Sequence, residues 1–214
     1  PVRILMSLIV RVALTVTELP RSVAWYQSAL GLHLHRHDPD AGTAALDDGG
    51  EDVLHLHEER GARQPGRHSG LYHYALLFGE REELARAALR LAATRTPIQG
   101  ASDHGTHEAI YLPDPDGNGI ELAADRPREQ WPTPEEEFSG GGPRPLDFDA
   151  LLATVAGEEP SAQVRRGLRM GHVHLQVSQI PPAVEFYRDL LGFGLMAEYG
   201  GQAAFLSAGG YHHH

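Results

Sequence analysis

The sequence predicts an α+β protein built from βαβββ modules that pair to form cup-shaped mixed sheets, with an incomplete second domain. An internal repeat is the first observation behind this prediction, because the residues from Val12 recur without a gap from Val173, a spacing of 161 residues. The second observation is the order within each copy, which runs from an alternating strand through a proline turn to an amphipathic helix. Repeats of this kind indicate modules that bury their apolar faces against one another.

The first module, called unit one, begins with the strand at Val12, turns at Pro20 and continues as a helix that ends at Gly31. Glycine is favourable at that end because a left-handed helix cap costs it no strain. Past the helix come the strand TAALDD, a glycine-pair turn and the strand DVLHLHE. Each module is therefore expected to hold one strand, one helix and about three further strands.

The second module, unit two, is more diverged but keeps the same order. Leu71–Phe78 is predicted as a strand, and Glu80–Ala93 as a helix rich in strong helix formers. His107–Leu112 and Gly119–Ala124 are predicted as strands, joined by the turn sequence Pro-Asp-Pro-Asp-Gly-Asn-Gly. The third module, unit three, is the second copy of the repeat, and it stops early.

The segment between units two and three differs from both in composition. It contains six prolines, three consecutive glycines and an acidic run, which are typical of a linker. One short helix is predicted within it, over Leu146–Ala156, with Asp147 or Asp149 as its N-cap. We therefore predict three regions, which are a two-module domain, the linker, and the first module of a truncated second domain: residues 9–126, 127–169 and 170–214.

The composition excludes several classes of function. The formal net charge is −11, so no overall positive field attracts a nucleic acid or an anionic membrane. The apolar run at Ile4–Val10 is too short to span a bilayer, and it is expected to lead into a buried strand. Cysteine is absent, so any transition metal has to be bound by carboxylates and by some of the 14 histidines. A cytoplasmic location is expected from the absence of a signal segment and of cysteine.

Three segments carry a resemblance to a known family: LPRSVAWYQSALGL in unit one, Ala101–Pro132 in unit two and Met170–Phe193 in unit three. They resemble the vicinal oxygen chelate superfamily, which includes glyoxalase I, bleomycin-resistance proteins and extradiol ring-cleaving dioxygenases. The central segment, the proline-rich linker and the sequence GHVHLQV together are similar to bacterial two-domain catechol 2,3-dioxygenases. Members of that subgroup have four units, so the resemblance implies that most of the fourth is missing here.

The resemblance implies a divalent metal in a cup between two paired units, with ligands on the first and last strands of each. His73 holds the first-strand position of unit two, and Glu121 holds its last-strand position. His55 lies on the last strand of unit one, at the position that Glu121 holds in unit two. These three residues are therefore a candidate set of two histidines and one carboxylate in the first domain. In the alternative, this domain is a degenerate copy without metal, because Arg11 holds the first-strand position of unit one and its charge repels a dication.

In unit three, His172 holds the first-strand position and is implied as a metal ligand. Its partners are expected in the missing fourth unit, which would leave this chain inactive. The resemblance also implies an acid that protonates a leaving oxygen, at His213 or His214, and imidazole suits that task near neutral pH. The residues His212–His214 are also open to interpretation as part of a histidine tag.

Other histidines are expected to have structural roles. Those that alternate along one strand are expected on a solvent-facing edge, and those that flank a hairpin of unit two are expected to stabilise the turn. Tyr111 is expected either to line the cup or to pack. The residues in question are His33, His35 and His37 on the strand, His104 and His107 beside the hairpin, and His174, which is expected to pack.

The resemblance favours an extradiol dioxygenase that cleaves a catechol-type aromatic with Fe(II) and O₂; Mn(II), Zn(II) and Ni(II) are alternative metals. One alternative function is that of a metal-dependent isomerase or transferase of the glyoxalase type. Another is a metal-free protein of the same fold that binds and sequesters a small molecule. A homo-oligomer is expected because the sheet edge of unit three otherwise stays exposed. Neither nucleic acid nor membrane is expected as a partner.

Overall fold

The computed structural model of the chain describes residues 9–64, 66, 68–133 and 142–214. Within these residues, unit one forms a four-stranded sheet with the strand order β1-β4-β3-β2. Its strands are β1 (Val12–Val16), β2 (His33–Asp38), β3 (Thr43–Asp47) and β4 (Asp52–Glu58). Strand β2 is the edge of this sheet, and His35 and His37 on it are exposed, as expected, whereas His33 is half-buried and its Nε2 atom is buried.

Unit two, one short strand of the predicted linker and the first strand of unit three share a second sheet of six strands, in the order β10-β5-β8-β7-β6-β9. Its strands are β5 (Gly70–Phe78), β6 (Gly100–Asp103), β7 (His107–Pro113), β8 (Gly119–Asp125), β9 (Arg144–Pro145) and β10 (Arg169–Gln176). The remaining strands of unit three, β11 (Gly194–Tyr199) and β12 (Ala203–Ser207), pair as an antiparallel hairpin.

Each unit carries one helix between its first and second strands. Helix α1 (Leu19–Trp25) continues as a π-helical turn and ends at Gly31, whose φ of 72° confirms the expected left-handed cap. Helix α2 (Arg81–Ala93) serves unit two. Helix α4 (Ile180–Glu185) serves unit three and also continues as a π-helical turn. The units therefore repeat the predicted order, and the α+β fold class is confirmed.

The helix predicted between units two and three is present but shorter. Helix α3 covers Phe148–Leu152 and is followed by a 3₁₀ turn over Ala153–Val155. Asp147 is its N-cap, because its side chain accepts a hydrogen bond of 2.9 Å from the backbone N–H of Ala150. The acidic run of the predicted linker and the apolar run before Val12 fall largely on 134–141 and 1–8, which lie outside the described residues.

The pairing of units two and three decides where the functional side chains meet. Strand β10 runs antiparallel to β5, with His174 opposite His73 and Val173 opposite Tyr74. This pairing crosses the predicted domain boundaries, and the division into domains stays a prediction. The free edge of β5 presents unpaired backbone groups, and β10 satisfies them within the same chain.

The core lies between the two large sheets and the helices of units one and two. Strand alternation places one side chain of each neighbouring pair in this core and the other on the opposite face. On β5 and β8 the core side includes Tyr74, Leu76, Ile120 and Leu122, all at most 1% exposed. The opposite face of the second sheet therefore carries the alternate residues of the same strands.

The segment that follows unit two is held to the body by buried polar contacts. Arg90 of α2 donates hydrogen bonds to the carbonyl oxygens of Ser161 and Gln163, at 2.8 and 3.1 Å. Asp48 accepts bonds from the backbone N–H groups of Gly167 and Leu168, at 2.6 and 2.9 Å. These contacts fix the chain just before it enters β10.

In the part of the chain that the structure describes, none of the helices has the length and apolar character needed to cross a membrane. The expected cytoplasmic location and the expected homo-oligomer stay predictions.

Candidate metal centre

Three side chains converge on the face of the second sheet that points away from the core. The Nε2 atoms of His73 and His172 lie 3.1 and 3.2 Å from Oε2 of Glu121, and 3.3 Å from each other. The side chains are 12%, 5% and 2% exposed for His73, His172 and Glu121. The three ligand atoms therefore form a compact and largely buried triangle.

Neighbouring strands place these residues together. Glu121 lies on β8, His73 on β5 and His172 on β10, and these three strands are adjacent in the sheet. In β5 and β8, His73 and Glu121 alternate with core residues, so both point to the opposite face. The alternation along β5 and β8 and the pairing of β10 with β5 together bring the three side chains into contact.

The triangle fits a divalent metal ion. Three ligand atoms at about 2.1 Å from one ion, at right angles to one another, lie about 3.0 Å apart. The observed separations of 3.1 to 3.3 Å are close to that value. Two imidazoles and one carboxylate on one side of an ion form the set typical of non-haem Fe(II) sites, which keep further positions open.

Hydrogen bonds keep the carboxylate of Glu121 ionised despite its burial. Burial raises its pKa, whereas hydrogen bonds from His107, His172 and His73 lower it. The hydrogen bonds outweigh burial, so the pKa of Glu121 lies well below its ordinary value. The site therefore offers one negative charge to a cation over the physiological pH range.

The structure does not bring His55 to this site. His55 lies on β4 of the first sheet, with its Nε2 3.1 Å from Oδ2 of Asp52 and 3.4 Å from Nη1 of Arg11. Of the set expected in the first domain, the structure brings His73 and Glu121 together, and it places His172 beside them in the position expected for His55. His172, whose partners were expected in a fourth unit, lies beside His73 and Glu121 of unit two, because β10 pairs with β5.

A second group of metal-type side chains, which consists of His35, Asp47 and Asp52, lies in unit one. Burial raises the pKa of Asp52, but hydrogen bonds from His35 and His55 and the positive charge of Arg36 have a larger effect in the opposite direction. The pKa of Asp52 is therefore lowered to about 2. Because the guanidinium of Arg36 is paired directly with Asp52, it competes with any dication for that carboxylate. This group is an ion-pair network in which two largely buried carboxylates, Asp47 and Asp52, meet exposed cationic side chains.

The C-terminal histidines lie beside the metal-type triangle. The ring of His213 is 4.3 Å from that of His172 between centroids. Burial, and then the charges of His172 and neighbouring histidines, hold the pKa of His213 well below its ordinary value. The backbone of His214 bonds to Leu206 and Val173, while its ring contacts Ser207. Of the two residues expected as an acid, His213 is thus the one that lies against His172.

Sequence reasoning missed two histidines on the same face. His107 is 3% exposed, and its Nε2 lies 3.1 Å from Oε1 of Glu121. The ring nitrogen of His104 lies 2.7 Å from the hydroxyl of Tyr111, and burial, with the charge of His107 next, lowers the pKa of His104 to about 4. Burial and the nearby Glu121 raise the pKa of Tyr111. Alternation along β7 was the available signal, since it puts His107 and Tyr111 on one face.

The triangle opens into a wide cleft between the second sheet and the β11–β12 hairpin. The cleft has a volume of about 3100 Å³, and its walls include Trp131, Tyr187 and Phe205. Pockets that enclose a small molecule usually measure about 300–1000 Å³. The described residues therefore supply a floor with metal-type ligands and aromatic walls, and they leave the cleft open.

Replacing Gly119 by alanine is expected to weaken metal binding. Gly119 pairs with His73, and a Cβ there would lie 2.3 Å from the carbonyl oxygen of Tyr72. The strand has to shift, so His73 moves away from Glu121. We expect Co(II) affinity, followed by visible absorption, to fall by about 10-fold or more, as for other changes just outside a metal's ligands. Gly100→Ala is the control, because a Cβ there meets no atom within 4 Å; equal affinities for both variants would contradict the prediction.

The fold and the site together define a class of protein built from βαβββ units around a metal-type triangle. A family model described as Glyoxalase/Bleomycin resistance protein/Dioxygenase superfamily matches residues 8–122 and 169–214. The chain belongs to this superfamily, and the resemblance inferred from the sequence is confirmed. The superfamily and its dioxygenase relatives imply a divalent metal, for which the triangle is the candidate site.

Among proteins of known name, the chain is similar to the catechol-2,3-dioxygenase of Bacillus subtilis (strain 168). The two are 41% identical over 205 residues, which cover 94% of this chain and 70% of the relative. A solved structure of a putative dioxygenase from Bacillus subtilis subsp. subtilis str. 168 covers 94% of this chain, with a TM-score of 0.63 and 15% identity. The chain spans 59% of that structure, and this likeness concerns the fold. The chain is therefore a homologue of catechol-2,3-dioxygenase.

Proposed function

We propose that this protein is an extradiol dioxygenase, which opens the ring of a catechol-type aromatic with Fe(II) and O₂. The observation that carries the proposal is the triangle of His73, Glu121 and His172, because its donor set is that of non-haem Fe(II) oxygenases. Identity of 41% to a protein named catechol-2,3-dioxygenase supports the same reaction.

The reaction is balanced without a further reductant. The bond that breaks joins one hydroxyl-bearing carbon to the neighbouring ring carbon that carries no hydroxyl. Both atoms of O₂ enter the ring-opened product. Fe(II), when bound, supplies open positions at which the two substrate oxygens and O₂ meet. His73 and His172 offer neutral nitrogens to the ion, and Glu121 offers the negative charge that offsets half of the ion's charge.

Proton handling falls to the polar side chains around the triangle. His213 lies against the ring of His172, where an imidazole is able to take a proton from a substrate hydroxyl and return it to the product. Tyr111 faces Glu121 and is hydrogen bonded to His104, so its hydroxyl is held at the edge of the site. The aromatic side chain of Phe205 contacts the ring of His213 edge to face, at 5.1 Å between ring centroids.

The test is the oxygen balance of the metal-loaded chain. The protein is loaded with Fe(II) without air, and catechol is added in ¹⁸O₂. We expect one O₂ consumed for each catechol, and two ¹⁸O atoms in the ring-opened product. Parallel samples loaded with Mn(II), Zn(II) and Ni(II) identify the metal that supports turnover.

Two results would contradict the proposal. The first is the absence of O₂ uptake with every metal, although the metal is bound. The second is turnover of a hemithioacetal without O₂, which is the result expected of a glyoxalase-type isomerase. Protein with no added metal is the control for turnover by contaminating iron.

A further inference from the structure

The strongest unassigned feature of the molecule is the ring of His107, which lies behind the metal-type triangle. Glu121 uses its Oε2 atom toward both His73 and His172, and its other oxygen, Oε1, lies 3.1 Å from Nε2 of His107. His107 is 3% exposed and Glu121 is 2% exposed, so water does not compete strongly for this contact. One buried imidazole therefore takes up the carboxylate oxygen that faces away from the two histidines.

The neighbours of His107 hold its ring in one plane. The ring is stacked between His104, at 4.5 Å and 8°, and His212, at 4.9 Å and 5°. Its Nδ1 atom lies 2.9 Å from the hydroxyl of Thr106. Both faces and both nitrogens of the ring are thus in contact, so the ring has little freedom to turn away from Glu121.

The partners also determine which nitrogen carries the proton. An ionised carboxylate only accepts hydrogen bonds, so Nε2 of His107 has to donate to Oε1 of Glu121. The hydroxyl of Thr106 is able to donate to Nδ1, which leaves that nitrogen as the acceptor. With its proton on Nε2 and a hydrogen bond accepted at Nδ1, the ring of His107 is able to hold the carboxylate of Glu121 in place.

We propose that His107 is a positioning residue for the metal centre, which holds Glu121 so that only Oε2 faces the ion. The inference rests on the proposed metal site. A carboxylate that uses one oxygen for the ion occupies one coordination position instead of two. His107 thereby keeps a position free for substrate or O₂, although it touches neither.

Two variants of His107 separate its hydrogen bond from its packing. His107→Phe keeps a flat ring in the stack but has no donor, whereas His107→Gln is able to place an amide N–H where Nε2–H lies. Co(II) is the probe, titrated into the apo protein and followed by visible absorption. We expect the Kd of His107→Phe to rise by about 10–100-fold, and that of His107→Gln to stay within about 3-fold of the parent.

The absorption spectrum gives a second readout that a merely structural role would not move. In His107→Phe the freed carboxylate oxygen is expected to join the ion, which changes the Co(II) bands, whereas His107→Gln is expected to keep the parent spectrum. Unchanged affinity and spectrum in His107→Phe would overturn the proposal. Equal losses in His107→Phe and His107→Gln would also overturn it, because they would assign the effect to packing.

A measurement on the parent protein covers the case in which His107→Phe fails to fold. In protein with ¹⁵N-labelled histidine, long-range ¹H–¹⁵N correlations report which nitrogen of His107 carries the proton. A proton on Nε2 is expected, and a neutral ring with its proton on Nδ1 would overturn the proposal. If the parent binds no Co(II), the inference fails together with the metal site. If Co(II) binds with the expected variant pattern but the Fe(II) form cleaves no catechol, only the proposed function fails.

Discussion

Replacing Glu121 by glutamine is expected to abolish tight metal binding and ring cleavage. Glu121 is the carboxylate of the triangle, and both His73 and His172 direct their Nε2 atoms at its Oε2. Glutamine keeps the shape but removes the negative charge and one acceptor. Partners outside the ligand set already change metal affinity by about 10–100-fold, so loss of a ligand is expected to cost more than about 100-fold.

The measurement is the bound Fe(II) per chain after anaerobic loading, followed by oxygen uptake with catechol. Glu59→Gln is the matched control, because Glu59 is exposed and is not among the residues that line the cleft. The apo form of Glu59→Gln is expected to unfold at nearly the temperature of the parent, and circular dichroism checks that apo Glu121→Gln is folded. Full iron content in Glu121→Gln would show that the metal lies elsewhere.

The largest expected effect on stability belongs to Arg90. This side chain is 3% exposed, and it donates to three carbonyl oxygens, those of Leu30, Ser161 and Gln163, at 3.0, 2.8 and 3.1 Å. Arg90→Ala leaves three carbonyls without that donor, and each buried polar group without a partner costs about 1–3 kcal/mol. We expect the free energy of unfolding to fall by about 3–5 kcal/mol.

Urea unfolding followed by circular dichroism measures this change. Arg188→Ala is the control, because Arg188 pairs with Asp189 on the surface, and such changes stay within about 0.5 kcal/mol. Arg90→Lys is expected to fall between the two, since lysine keeps the charge but lacks the planar fork of donors. A loss below about 1 kcal/mol in Arg90→Ala would mean that the three carbonyls find other partners.

Arg90 also shows why the segment between units two and three was interpreted as a linker. Its prolines and glycines are typical of a linker, and no pattern in its sequence indicates the contacts that it makes. Those contacts are made by backbone carbonyls and N–H groups, which every residue possesses. Their partners, Arg90 and Asp48, are distant in the chain, so only the folded chain shows that the segment is held.

The sequence likewise predicted some features of the candidate metal centre and not others. Strand alternation and the family resemblance pointed to His73, Glu121 and His172 as ligand positions. His55, the third member expected in the first domain, lies on the other sheet, because the first strand of unit three, and not a strand of unit one, pairs with β5. Side-chain pattern indicates which face of a strand is buried, but it does not indicate which strand edge lies next to which.

By itself, the sequence determined the repeated module and the α+β class, because these follow from local order and alternation, and its resemblance to the superfamily implied His73, Glu121 and His172 as ligand positions. Only the tertiary structure decided that β10 lies against β5, which brings His172 to His73 and Glu121. It also decided that His107 lies behind Glu121. Pairing between distant strands depends on which free edges meet, and that choice is made by the whole folded chain.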